Sequence, residues 1–300
     1  MSTLPFLALP SCATAARLAT ERGEFAALRA EPAGVPRGTA LLVPGYTGSK
    51  EDFIALLEPL SLAGFRVVAY DQRGQYETGG GADPAAYALP ELGLDLRAVT
   101  ELLAAEAGAG PVHLLGHSFG GFVAREAVLS LSLRPGSRVP LPWASLVLLS
   151  TGPGPLDPPE AARTKMLMDA LGGMDLETIW QVMQQMDGEK SDSAVAPSPE
   201  VADFLHRRWL ANVPQALVAM GERLVGQEDR TEELAAVALP KLYVSGTEDY
   251  AWPVEEQART AARLGVPHVV VEGAGHSPNA ERPERTAAVL LDFWSSVSTD

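Results

Sequence analysis

Val112-His113-Leu114-Leu115-Gly116-His117-Ser118-Phe119-Gly120-Gly121-Phe122-Val123 runs from an apolar, β-rich segment through a glycine-rich hexapeptide into a helical pattern. Residues 112–115 read as a strand and residues 122–131 as a helix. Between them, Gly116 to Gly121 carries the G-x-S-x-G spacing of a nucleophile elbow. Such a turn is sharp and its central residue is strained. Side chains at positions 116 and 120 would collide with the neighbouring strand and helix, so glycine is required there. Ser118 is thereby lifted off the sheet with its Oγ facing a cleft. The helix that follows aims N–H groups at the same point and favours negative charge developing there.

Working outward, short β-rich runs alternate with longer helical patterns. Residues 17–20 and 25–30 flank Gly23 as a hairpin. Residues 40–43 form a buried strand ending at Pro44-Gly45. Phe53, Leu56, Leu57 and Leu60 repeat at helical spacing until Gly64, and Phe65–Tyr70 is the next strand. Leu92, Leu96, Val99 and Leu103 mark a helix that Gly108 and Gly110 end. Residues 145–150, 241–245 and His268–Val271 are strands. Val254–Leu264 and Pro283–Val297 are helices, the latter with proline in its first turn. This order predicts an α/β protein with a mostly parallel, doubly wound sheet.

The alternation stops between Gly152 and Leu239, where three or four helices and no strand are expected. Met166, Leu167, Ala170 and Leu171 form one stripe, Leu176, Ile179, Trp180 and Met183 a second. Ser198-Pro199 reads as an N-cap with proline at the first helical position, and Leu217, Met220 and Leu224 suggest a fourth helix. The polar stretch 188–198 is expected to be mobile. The expected division is a core of residues 1–152 and 240–300 with an all-helical cap insertion, 153–239.

Composition narrows the function classes. Of 300 residues, 46% are hydrophobic and 20% charged, as in a soluble globular chain. The 23 Lys and Arg against 38 Asp and Glu leave a charge of −15, which repels nucleic acid and anionic membranes. The single cysteine, Cys12, excludes an internal disulfide and a cysteine-based zinc site. Leu9-Pro10-Ser11-Cys12 faintly resembles a lipoprotein cleavage site. However, no Lys or Arg precedes Arg17, and Pro5 and Pro10 break the apolar run. A cytoplasmic protein with a loose N-terminal arm and no membrane span is expected.

A serine hydroxyl needs a base within hydrogen-bond reach. Of the five histidines, His113 sits within a strand, His117 is the variable elbow position, His206 lies in a charged helical stretch and His268 starts a strand. His276 instead follows a strand in the loop Gly273-Ala274-Gly275-His276, at the sheet edge where open α/β proteins bind ligands. It is the expected base. The carboxylate that orients it is expected to be Asp249, at the end of strand 241–245, with neighbouring Glu248 as the alternative. Oxyanion donors are expected in the backbone N–H of Phe119 and, from the loop after strand 40–43, that of Tyr46.

These features together resemble the α/β-hydrolase fold with a helical cap, over residues 17–297. The order Ser118, Asp249, His276 is that family's order of nucleophile, acid and base. Asp71-Gln72-Arg73-Gly74 resembles its D-x-R-G turn, in which Arg73 would pin loops beside the site. Gly246-Thr247-Glu248-Asp249 and Gly275-His276 resemble the turns carrying acid and base. The chain has Pro44-Gly45 where the family often has His-Gly, and Gln75-Tyr76-Glu77-Thr78 where a glycine-containing turn is commoner. Ser118 sets it apart from relatives with a carboxylate nucleophile, the haloalkane dehalogenases and epoxide hydrolases.

The resemblance implies acyl transfer through an acyl-enzyme, with no metal or organic cofactor. The expected substrate is a small, largely apolar carboxylic ester or related acyl compound. Trp180, Met183, Met186 and Trp209 from the cap, with Tyr46, Phe119 and Trp252 from the core, are candidates for an apolar lining. Alternatives on the same triad are carbon–carbon bond hydrolysis, amide or aminopeptidase cleavage and cofactor-free perhydrolysis. A non-catalytic small-molecule-binding protein is the alternative of another class.

Overall fold

The computed structural model describes residues 2–106, 108, 110–132, 140–188 and 197–297. Eight strands build one sheet: β1 (Ala13–Thr20), β2 (Gly23–Ala30), β3 (Gly38–Val43), β4 (Phe65–Tyr70), β5 (Val112–His117), β6 (Ser145–Leu149), β7 (Lys241–Gly246) and β8 (His268–Val271). Their spatial order is β1-β2-β4-β3-β5-β6-β7-β8. The β1–β2 hairpin and the β2–β4 pair are antiparallel, and every later pair is parallel. The helices are α1 (Ile54–Leu62), α2 (Leu89–Ala104), α3 (Phe119–Ser132), α4 (Pro158–Leu171), α5 (Leu176–Gly188), α6 (Pro199–Leu210), α7 (Pro214–Gly226), α8 (Thr231–Ala235), α9 (Val254–Leu264), α10 (Pro278–Glu281) and α11 (Pro283–Val297).

The strand period of two sorts the core into two layers. Leu41, Val43, Leu114 and Leu148 face α2, α3 and α9, whereas Leu42, Leu115, Val147 and Val244 face α1 and α11. Every residue of β3, β4 and β5 is buried, which is why these strands read as continuous apolar runs. β5 lies between β3 and β6, so its C-terminal end opens at the middle of the sheet.

Helices α4 to α7 form the insertion between β6 and β7. Ser198 caps α6 by accepting from the Val201 N–H at 3.3 Å, with Pro199 following. Ile179, Trp209 and Leu217 form a small core of the insertion, joined by Leu167, Trp180 and Met183. α8 packs instead against α3 and α9. The stretch 188–198, expected to be a mobile loop, falls largely outside the described residues.

Two expectations require correction. The N-terminal arm is not loose: Ser2 and Leu4 are buried. Leu4 joins the apolar layer of α1 and α11, and the Ser2 Oγ lies 2.9 Å from that of Ser277. Arg208 of α6 donates to the Ser2 carbonyl at 3.3 Å and pairs with Asp52 at 2.6 Å, both side chains being fully buried. Arg73 does not pin loops at the site. Its guanidinium pairs with Asp95 of α2 at 2.7 Å and donates to the Arg22 carbonyl in the β1–β2 turn. Among the described residues, no helix is long and apolar enough to cross a membrane.

Candidate active site

Ser118 sits between β5 and α3 with φ +53°, in the left-handed region. Strain of this kind costs on the order of 1–3 kcal/mol and persists only where the surroundings over-determine it. Here the Ser118 N–H donates to the Leu149 carbonyl of β6 at 2.9 Å, and the Gly121 N–H returns to the Ser118 carbonyl. A Cβ at Gly116 would stand 2.7 Å from the Gly121 Cα, and one at Gly120 2.7 Å from the Pro44 carbonyl oxygen. The glycines of the elbow are therefore steric necessities of close backbone approach.

The loops after β7 and β8 converge on this turn. His276 Nε2 lies 2.9 Å from Ser118 Oγ, and its Nδ1 lies 2.8 Å from Asp249 Oδ1. An ionised carboxylate only accepts, so Nδ1 carries the hydrogen and Nε2 is left to accept from the serine hydroxyl. Asp249 is buried. Its Oδ1 also accepts from the Ala251 N–H at 2.9 Å and its Oδ2 from Gln257 at 2.9 Å. Burial alone would raise this carboxyl. The His276 ring and these donors outweigh it and hold the pKa below the ordinary carboxylate value. Glu248 is exposed, and Asp249 is the carboxylate that meets the imidazole. Glu281 shapes the His276 loop by accepting from the Gly275 N–H at 2.6 Å and the Ser277 N–H at 2.9 Å.

On the other side of Ser118 lies the loop after β3. The Gly48 N–H closes a turn onto the Gly45 carbonyl at 3.2 Å, with Thr47 at φ +57°. Gly45 lies so close that a Cβ there would stand 2.9 Å from the Ser118 Cβ. The Tyr46 hydroxyl donates to the Leu217 carbonyl of α7 at 2.9 Å, and burial pushes its pKa up. Phe119 is the first residue of α3, so its N–H has no acceptor within the helix. The Tyr46 N–H has none among the described residues. Two residues missed in the sequence, Gln72 and Gln75, hold this loop by donating to the Pro44 and Gly45 carbonyls, each at 2.8 Å. Their side-chain amides anchor the loop at two successive carbonyls.

A cavity of about 100 Å³ opens over Ser118 and His276. Tyr46, Thr47 and Tyr250 line it, with Leu156, Glu160, Thr164 and Leu224 from the insertion side and Asp52, His117 and Ser2 from below. Of the residues expected to line it, only Tyr46 does. The Trp209 indole is buried in the insertion and donates to the Leu176 carbonyl at 2.7 Å. Trp180 stacks on His206, Met183 packs in the same small core and Met186 is exposed. Phe119 packs on Phe122 in the core. Trp252 lies behind the His276 ring at 6.1 Å and donates to the Pro155 carbonyl. The physical reason is common to the residues of the insertion: amphipathic helices in a small insertion use their largest side chains to pack on one another. The lining is mixed in polarity rather than largely apolar. Among the described residues, no group of three or more His, Cys, Asp or Glu could hold a metal ion.

Sheet order, elbow and helical insertion define a class, the α/β-hydrolase fold. Residues 40–289 match the Alpha/beta hydrolase family, and the chain belongs to it. It is 29% identical over 266 residues to a Variovorax paradoxus protein named as a carbamate hydrolase, RutD, covering 86% of this chain and 92% of that one. It is 25% identical over 313 residues to epoxide hydrolase A of Mycobacterium tuberculosis, covering 90% and 94%. Its fold matches that of a thermophilic esterase from Thermogutta terrifontis with a TM-score of 0.70 at 24% identity, covering 95% of this chain and 100% of that one.

Proposed function

We propose that the protein is a serine hydrolase that cleaves small carboxylic esters or related acyl compounds through an acyl-enzyme. The observation that carries this is the continuous hydrogen-bonded line from Ser118 Oγ through His276 to Asp249 at the floor of a cavity. Ser118 Oγ attacks the substrate carbonyl carbon while His276 Nε2 takes its proton. The negative charge moves to the carbonyl oxygen, where the N–H groups of Phe119 and Tyr46 receive it. The intermediate collapses, the bond to the leaving group breaks, and His276 returns the proton to that group. Water, deprotonated by the same ring, then releases the acid and restores Ser118. Asp249 stays ionised and holds the ring's tautomer throughout.

The cavity favours short acyl chains. A dry cavity of about 150 Å³ takes benzene, so a smaller one suits an acetyl- to butyryl-sized group. The Asp52 charge is paired with Arg208, but Glu160 also lines it and, among the described residues, no Lys or Arg does, which disfavours anionic substrates. The insertion, residues 153–239, acts as the cap over this space.

A fluorophosphonate probe should label wild-type protein at Ser118, and p-nitrophenyl acetate should be turned over. Ser118→Ala should abolish both, and His276→Ala should lower turnover on the order of 10⁴-fold or more. Folded wild-type protein that is neither labelled nor active would favour a ligand-binding role on the same fold.

A further inference from the structure

The loop that presents Tyr46 is held through its carbonyls. Gln75 is buried in the turn after β4. Its Nε2 donates to the Gly45 carbonyl at 2.8 Å, and its Oε1 accepts from the Gln72 N–H at 3.1 Å. The two contacts fix the orientation of the side-chain amide, because a carbonyl accepts and an N–H donates. The turn is itself braced. Asp71 accepts from the Lys50 N–H at 2.7 Å and the Glu77 N–H at 3.1 Å, and the Thr78 hydroxyl donates to the Asp71 carbonyl at 2.8 Å.

The Gly45 carbonyl and the Tyr46 N–H belong to one peptide plane. That peptide is trans, so the two groups point in opposite directions. Fixing the carbonyl on one side fixes the N–H on the other. A hydrogen bond to the carbonyl also polarises the plane and strengthens the opposite N–H as a donor. We propose that Gln75 is a positioning residue for the oxyanion: its side-chain amide grips the Gly45 carbonyl and so aims the Tyr46 N–H at the oxygen of the carbonyl that Ser118 attacks. This rests on the serine-hydrolase function proposed above. Gln72, donating to the Pro44 carbonyl, steadies the preceding plane in the same way.

The test uses full-length wild type, Gln75→Leu and Gln75→Met, with active sites counted by fluorophosphonate labelling. Gln75→Met keeps the length and nearly the volume of the side chain but has no hydrogen to give Gly45. It therefore decides the matter if Gln75→Leu does not fold. Per labelled site, kcat for p-nitrophenyl acetate should fall roughly 10- to 100-fold in the variants. KM should stay within about threefold, because the contact strengthens only as charge develops. The inhibition constant of a trifluoromethyl ketone, whose serine adduct carries an alkoxide, should rise by a similar factor to the fall in kcat. A merely structural role would lower the number of labelled sites and leave kcat per site unchanged. An active wild type whose folded variants keep kcat within about twofold would overturn the inference and leave the hydrolase assignment standing. A wild type that is neither labelled nor active would overturn both.

Discussion

The His117 Nε2 donates to the His276 carbonyl oxygen across 2.8 Å, so the residue just before the serine grips the backbone of the residue that bears the imidazole. Since a carbonyl can only accept, Nε2 carries the hydrogen. Burial, with the neighbouring His276 ring adding to it, holds the His117 pKa down at about 4. The rings of the two histidines stand 5.2 Å apart, and the spacing of Ser118 from His276 is thus set twice, through side chain and through backbone. His113, near the N-terminal end of β5, is also buried neutral, with its pKa lowered by burial to about 4.

Such histidines make the fold sensitive to acid. Unfolded rings take a proton near 6.5, folded ones only near 4. Between these values the unfolded chain binds more protons, so this contribution to stability falls as pH is lowered. For His113 alone the loss from pH 7 to pH 5 is about 2 kcal/mol. In urea melts, His113→Asn should cost stability at pH 7 but lose less than wild type on going to pH 5. Equal losses would mean that His113 titrates alike in both states.

Asp249→Asn leaves the shape of the turn but removes the charge that stabilises protonated His276. Turnover of p-nitrophenyl acetate should fall on the order of 10³- to 10⁴-fold. Glu248→Gln, on an exposed side chain, should leave turnover within about twofold. The reverse result would move the acid to Glu248.

Gly116→Ala forces a methyl group to within 2.7 Å of the Gly121 Cα. Because backbone rather than a flexible side chain stands in the way, thermal unfolding should show a loss of about 3 kcal/mol or more. Gly34→Ala, whose added methyl meets nothing within 4 Å, is the control and should change stability by less than about 0.5 kcal/mol. Equal effects would show that the elbow can relax.

The Arg208–Asp52 pair joins α6 to the segment between β3 and α1, beneath the cavity. Arg208→Met leaves Asp52 buried without its partner and should cost about 3–5 kcal/mol. Arg208→Met combined with Asp52→Leu should cost less than the single change, since neither charge then remains. Denaturant melts of the three proteins test this, and a double variant less stable than Arg208→Met would contradict it.

The amino-acid sequence by itself determined the sheet and its elbow. Strand and helix periods are local properties: alternating Leu41 and Leu42 need opposite faces of a sheet, and Gly116 and Gly120 admit no other side chain where backbones meet. Ser118, Asp249 and His276 were legible for the same reason, each lying at a strand end that a parallel sheet must bring to one edge. What tertiary structure alone decided is which polar side chains reach across that edge. Gln75 touching Gly45, His117 touching the His276 carbonyl and Ser2 touching Arg208 of α6 are contacts between segments far apart in the chain. No local period encodes them. The cavity lining belongs here too: Trp180 and Trp209 have the composition of a pocket wall, and only the packing of four helices turns them toward one another instead.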